Sequence, residues 1–111
     1  MHELSLTQGI VTICLQHAQG KRVTSVTVEI GLLGSVVPEA VEFCFSACSS
    51  GTLLEDARLV IERIAGRGCC ASCGSEQLVE QRYDPCCECG SHALLIVAGE
   101  EMRVREIEVE D

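Results

Sequence analysis

Cys70-Ala71-Ser72-Cys73-Gly74 and Cys86-Cys87-Glu88-Cys89-Gly90 set four cysteines in two C-x-x-C-G turns, with twelve residues between them. A C-x-x-C turn lets two thiolates converge on one tetrahedral ion, and the glycine that follows relieves the turn by accepting a positive φ. Two such turns supply four ligands, and their spacing is that of a zinc ribbon. A four-thiolate site with no open position is structural, because neither water nor substrate reaches the metal. This stretch decides how the middle of the chain folds and leaves function to be read elsewhere.

The 111 residues suffice for one modest core plus a small metal-stapled module. No apolar run is long enough to cross a bilayer. Met1-His2-Glu3-Leu4-Ser5 lacks the basic start and apolar segment of a signal peptide, so the expected compartment is the cytoplasm. Nine cysteines could suggest a secreted disulfide scaffold. The odd count, the missing signal and the C-x-x-C pairs argue instead for reduced thiols and metal. The formal net charge of -9 counts the cysteines as neutral. Four thiolates on one Zn²⁺ would add about -2, with Arg67 and Arg82 near enough in sequence to offset it locally. Such an acidic chain is a poor match to phosphate backbones and lacks the basic patch of nucleic-acid-binding zinc ribbons. Two Phe, one Tyr and no Trp leave few platforms for base stacking.

Around the cysteine pairs the chain reads as α+β. Residues 3–18 form a helix, with Leu6, Ile10, Ile13, Cys14 and His17 recurring at three- and four-residue steps. Gly20 and the basic Lys21-Arg22 end it. Val26, Val28 and Ile30 alternate with Thr27 and Glu29 in a half-buried strand, broken at 31–34. Pro38 opens a second helix through Ala40, Val41, Phe43, Cys44, Ala47 and Cys48, which stops before Gly51. Residues 59–64 are a β-branched strand. Residues 66–98 form the metal module, with strands over 77–83 and 94–97. After a turn at 99–101, a last strand covers 102–109. Its parity changes between Val104 and Ile107, which places a bulge near Arg105. Two helices therefore pack on a three-stranded sheet. The domain is discontinuous, 1–65 and 99–111, with a zinc-ribbon-like module inserted at 66–98.

The first three residues have a chemistry of their own. The free amine of Met1, the backbone nitrogen of His2 and His2 Nδ1 can grip one ion in fused five- and six-membered chelate rings. A bulky second residue is expected to keep Met1 in place. Deprotonating a backbone amide calls for a metal that prefers square-planar nitrogen ligands, Ni(II) or Cu(II) and not Zn(II) or Mg(II). Glu3 can add a backbone nitrogen or a carboxylate oxygen. An N-terminal histidine by itself is more often solvated than ligating.

Together, Met1-His2-Glu3-Leu4-Ser5, the two-helix, three-strand pattern and the inserted double C-x-x-C module resemble the HypA/HybF family. These are nickel-insertion accessory proteins for [NiFe]-hydrogenase. The likeness covers the whole chain. It includes Arg22-Val23 and Ile30-Gly31 at the ends of the first strand, Pro38-Glu39-Ala40 opening the second helix, Phe43-Cys44-Phe45, Gly51-Thr52 and the closing Ile107-Glu108-Val109. The resemblance implies a nickel metallochaperone. Nickel (Ni2+) would be bound by His2 with Glu3 and the Met1 amine, and zinc (Zn2+) by Cys70, Cys73, Cys86 and Cys89. It implies the nickel-handling GTPase HypB as partner and the hydrogenase large subunit as client, with urease served in some bacteria. Cys69 and Cys87 adjoin ligand cysteines and leave other pairings open. The family's spacing and the glycines after Cys73 and Cys89 favour the set just named.

The remaining candidates have plainer readings. Cys14, Cys44 and Cys48 suit small buried hydrophobes. Cys69 and Cys87 are spare, since one zinc needs four thiolates. His17 fits a packed or solvated helix position. His92 could join a nickel site only if the metal module folds toward the N-terminus. The acidic 106–111 end suits a solvated strand edge or a basic partner. No Ser, Cys and His arrangement suggests catalysis, and there is no phosphate-binding glycine loop, so an enzyme is not expected. The competing readings are a zinc-ribbon nucleic-acid or transcription module, disfavoured by charge, and a rubredoxin-like iron protein. The second is disfavoured by scarce aromatics and a separate helical part.

Overall fold

The computed structural model describes residues 3–111. In chain order the elements are α1 (Glu3–Ala18), β1 (Val23–Gly31), α2 (Pro38–Ser49), β2 (Arg58–Ile64), β3 (Gly66–Cys70), β4 (Glu76–Val79), β5 (Leu94–Ala98) and β6 (Met102–Val109). They form two three-stranded sheets, ordered β2-β1-β6 and β4-β3-β5.

Helix α1 ends where expected, with Gln19 and Gly20 both at positive φ (54° and 82°) and Lys21 N–H returning to the Ala18 carbonyl at 3.0 Å. Its buried face differs from the expected stripe. Thr7, Ile10, Val11, Cys14 and Ala18 are buried, whereas Ile13 is 44 % exposed and His17 faces solvent. The cause is the use of small residues at the contact. Thr7 gives its hydroxyl to the Glu3 carbonyl at 2.6 Å, so only its methyl needs an apolar neighbour. A stripe drawn through Leu6, Ile10, Ile13 and His17 passes beside Thr7, Val11 and Ala18, which are buried in its place, and so it rotates the face toward Ile13.

Pro38 begins α2, which buries Val41, Phe45 and Ser49. Phe43 points away and is 84 % exposed. The Glu3 carboxylate accepts the Val37 N–H at 3.5 Å, which places an anion at the positive end of α2. Strand β1 is central and runs parallel to β2, a pairing that needs a long crossover; α2 supplies it. Strand β6 pairs antiparallel on the other side. Two register shifts keep apolar residues on the helix side. One, between Val23 and Ser25, lets both Val23 and Val26 be buried. The other leaves Arg105 without a partner, between Val104 and Glu106, so that Val104 and Ile107 both pack on the core. That bulge stands where the change in parity placed it.

The second sheet leaves and rejoins the first through a crossing of three glycines. Leu32 N–H bonds the Ile64 carbonyl (2.9 Å), Leu33 N–H the Gly99 carbonyl (2.8 Å) and Gly31 N–H the Glu101 carbonyl (2.9 Å). A Cβ on Gly31 would overlap the Gly99 carbonyl, and one on Gly99 would lie 2.5 Å from Gly66 Cα. Arg82 ties across the same place, to the Glu100 carboxylate and, at 3.1 Å, to the Leu33 carbonyl. The metal module holds three strands where two were expected. Strand β3 escapes a propensity reading because Gly66-Arg67-Gly68 lacks β-formers; its glycines are required because Leu33, Val79 and Val79 O occupy the space. Strand β4 stops at Val79, short of 83, because Asp84 Oδ2 accepts the N–H groups of Glu80 (3.0 Å) and Gln81 (3.1 Å) and turns the chain.

Gly99→Ala, at φ +100° and in backbone contact, destabilises by about 1–3 kcal/mol or more. Gly9→Ala, inside α1 with open space around it, stabilises by about 0.5–1 kcal/mol. Urea midpoints of the two variants should shift in opposite directions. Burial pushes the Cys14 thiol from 9.0 up to about 11. The folded state thus holds its proton more tightly. That contribution is complete below about 9 and is lost as pH rises through about 11. Denaturant melts across this window should show a falling stability whose slope flattens in Cys14→Ala.

Candidate metal centre

The two C-x-x-C turns fold alike. Cys70 N–H bonds the Ser75 carbonyl (2.9 Å) and Gly74 N–H the Cys70 carbonyl (2.8 Å); Cys86 N–H bonds the Ser91 carbonyl (2.8 Å) and Gly90 N–H the Cys86 carbonyl (2.8 Å). Gly74 and Gly90 take φ of +77° and +74°, the left-handed conformation the turns demand. Ser72 Oγ and Ser91 Oγ meet at 3.2 Å between the turns. The equivalence is written in the sequence as a repeated C-x-x-C-G-S, a signal that would have picked out Ser75 and Ser91 as parts of the site.

The turns bring Cys70, Cys73, Cys86 and Cys89 together, with all four sulfurs within 4.8 Å of one another. Cys70 and Cys89 Sγ are 3.7 Å apart, Cys73 and Cys86 Sγ 3.6 Å. Four sulfurs at about 2.3 Å from a tetrahedral zinc stand about 3.8 Å from each other, so the cluster fits that ion. Cys70 and Cys86 are buried, while Cys73 and Cys89 line the open side.

The electrostatics of the four sulfurs also call for a cation. The Ser75 hydroxyl, 3.4 Å away, and then the backbone N–H groups of Cys89 and Glu88 pull Cys86 down to about 6. Backbone N–H groups of Cys73 and Ser72 lower Cys70 in the same way. The Ser91 N–H favours a thiolate at Cys89, but burial and the neighbouring sulfurs of Cys70, Cys73 and Cys86 outweigh it and push Cys89 up to about 11. The turns thus prepare thiolates that repel one another, a conflict that a dication resolves.

The spare cysteines stand outside this cluster. Cys69 Sγ faces the Gly74 carbonyl at 3.9 Å, and Cys87 is exposed, its N–H held by Gln77 Oε1 at 2.8 Å. Cys44 and Cys48 are half-buried on α2, and burial and then the neighbouring Cys44 raise the Cys48 thiol. His92 is exposed just before β5. Arg67 and Arg82 are engaged by carboxylates, Arg67 with Glu76 at 3.5 Å and Arg82 with Glu100. Of the expected nickel site, Met1 and His2 lie outside the described residues, and Glu3 is the first residue of α1. Among the described residues, the four cysteines form the one group with metal-ligand geometry. No described helix is long and apolar enough to cross a membrane.

Comparison with known proteins gives a consistent result. Residues 1–109 match the family model described as "Hydrogenase/urease nickel incorporation, metallochaperone, hypA". A protein of Geobacter metallireducens named hydrogenase maturation factor HypA is 58 % identical over 110 residues, covering 99 % of this chain and 100 % of that protein. One of the same name from a Nostoc species is 47 % identical over 111 residues, covering 100 % and 97 %. The solution structure of the Ni metallochaperone HypA from Helicobacter pylori aligns with a TM-score of 0.69 at 25 % identity over 98 % of this chain. A second HypA solution structure aligns at 0.75 with 25 % identity over 99 %.

The cluster geometry sets one test. Ser in place of Cys70, Cys73, Cys86 or Cys89 should abolish stoichiometric zinc and unfold residues 66–98. Cys69→Ser and Cys87→Ser should retain one zinc per chain with four sulfur neighbours in X-ray absorption. Loss of zinc from either of the last two would show a different ligand set.

Proposed function

Because the chain belongs to the HypA family, we propose that it carries Ni(II) to [NiFe]-hydrogenase during maturation, holding a structural zinc at Cys70, Cys73, Cys86 and Cys89. The observation that supports this most is the family match over residues 1–109, which takes in the start of the chain, the helices and both cysteine turns. The nickel is cargo. His2 Nδ1 and backbone nitrogen, with the Met1 amine, would grip it, and Glu3 would contribute at the edge of that chelate. The Glu3 carboxylate already meets the Val37 N–H, so its backbone nitrogen is the freer donor.

The reading assigns residues 1–65 and 99–111 to a nickel-binding domain and 66–98 to a zinc-binding one. Zinc supplies folding energy to the inserted module. It has no catalytic part in this reading, and the protein acts as a carrier in the cytoplasm. The partners are the nickel-handling GTPase HypB and the hydrogenase large subunit, with urease as a second client class. Zinc thiolate is colourless and ferric thiolate is not, so a colourless purified protein separates this reading from an iron carrier.

His2→Ala should abolish stoichiometric nickel binding in calorimetry while zinc content and fold are kept, since a chain end makes few packing contacts. One residue added before Met1 should do nearly the same, because it moves the amine out of the chelate. Wild-type affinity should fall with acidification through the range where imidazole (about 6.5) and α-amine (about 7.7–8.0) gain protons. Equal nickel binding by all three proteins would move the site elsewhere.

A further inference from the structure

Strand β6 has a free edge: β1 lies on one side of it, and no described strand on the other. Its sequence, Met102-Arg103-Val104-Arg105-Glu106-Ile107-Glu108-Val109, is a palindrome in chemistry. Read against itself in the antiparallel sense, about a centre between Arg105 and Glu106, it sets Arg105 against Glu106, Val104 against Ile107, Arg103 against Glu108 and Met102 against Val109. Each arginine meets a carboxylate, and each apolar residue meets another.

A regular strand could not use this pattern. Adjacent side chains point to opposite faces, so a two-fold centred between two residues would oppose mismatched faces. The bulge removes the obstacle. Glu106 and Glu108 pair with Thr27 and Ser25, and Arg103 with Glu29, all on the solvent face of the sheet. Arg105, the extra residue, reaches Glu62 on that same face at 2.7 Å. Arg103, Arg105, Glu106 and Glu108 thus share one face, and Met102, Val104, Ile107 and Val109 share the other. The parity shift that buries Ile107 is also the one that makes the strand self-complementary.

A groove of about 300 Å³ opens beside the centre of this edge, lined by Ile13, Cys14 and His17 of α1 and by residues 104–107. Ile13 is 44 % exposed there. We propose that the free edge of β6 binds a second copy of this chain, β6 to β6 about a two-fold between Arg105 and Glu106, forming a continuous six-stranded sheet. The symmetry sets both α1 helices on one side of that sheet, with Ile13 nearing its copy over the paired grooves. The backbone ladder and the apolar row hold the copies together. The charges fix the register, since exposed ion pairs add little affinity but oppose mismatched partners. Arg103 and Arg105 keep Glu29 (2.5 Å) and Glu62 while meeting the second copy, because a guanidinium carries five donors. Bulges and charges also serve to keep edges unpaired, which is the alternative the test must separate.

The experiment uses two charge-reversed full chains loaded with zinc, E106R/E108R and R103E/R105E, beside wild type. Wild type should sediment at twice the 11.9 kDa chain mass as concentration rises. Each variant alone should associate at least roughly tenfold more weakly, the one now four arginines and the other four glutamates along the edge. Mixed in equal amounts, they should form a heterodimer, since every reversed pair is again opposite in sign. Hydrogen exchange on wild type guards against a variant that fails to fold: the outward amides of β6 should gain protection with concentration. A wild type that stays monomeric, β6 amides that exchange at one rate at every concentration, variants that dimerise like wild type, or a mixture that stays monomeric would each overturn the proposal.

Discussion

The inserted strands depend on one close approach of backbone. The chain leaves the first sheet after Ile64 and returns at Met102, and both passages share the space beside Gly31. Gly66 and Gly99 touch there because neither carries a Cβ, and the Leu33 N–H and Gly99 carbonyl bond across the gap at 2.8 Å. Larger residues would force the strands apart and break the bonds at Gly31, Leu32 and Leu33 that join the two sheets. Arg82, reaching from the inserted module to Glu100 and the Leu33 carbonyl, closes over the same point. A domain interrupted by an insertion of this size keeps its register because exit and entry are adjacent.

The inserted part has little other means of holding itself together. Its buried apolar side chains are Cys70, Val79 and Cys86, two of them members of the four-sulfur cluster. Leu78, Leu95 and Val97 are more than half exposed. A core this small cannot offset the entropy of ordering three strands and two turns, which is the usual reason such modules rely on metal. The turns answer the need by aiming N–H groups and the Ser75 hydroxyl at sulfurs. They favour thiolates before any ion binds, at the cost of mutual repulsion.

The first sheet solves a different problem. Its solvent face carries Glu29, Glu62, Glu106 and Glu108, in a chain already at -9, with Arg103 and Arg105 of β6 set among them. The arginines lie where they meet the carboxylates of β1 and β2, so the acidic face is stitched along its length and not left to repel itself. The Arg105 bulge serves packing and charge together. It returns Ile107 to the core and holds Arg105 on the face where Glu62 waits.

The sequence alone determined the metal turns, because thiolate geometry at one ion depends on spacing within a few residues. It also determined both helices, the strands read over 26–30, 59–64 and 102–109, and the bulge at Arg105, because each rests on a local period or a break in it. The likeness carried by short strings along the whole chain brought the family. What the sequence could not decide was set by contacts between distant residues. The face of α1 turned on Thr7 and Ala18, whose burial comes from close packing and not from hydrophobicity. Strand β3 formed from glycines that propensity disfavours, because Leu33 and Val79 leave no room for anything larger. Spacing and the glycines after Cys73 and Cys89 already favoured Cys70 over Cys69 and Cys86 over Cys87; what the fold adds is that the two turns meet, with the four sulfurs within 4.8 Å of one another. Each of these rests on which residues far apart in sequence come to lie against one another, and only the assembled fold supplies that.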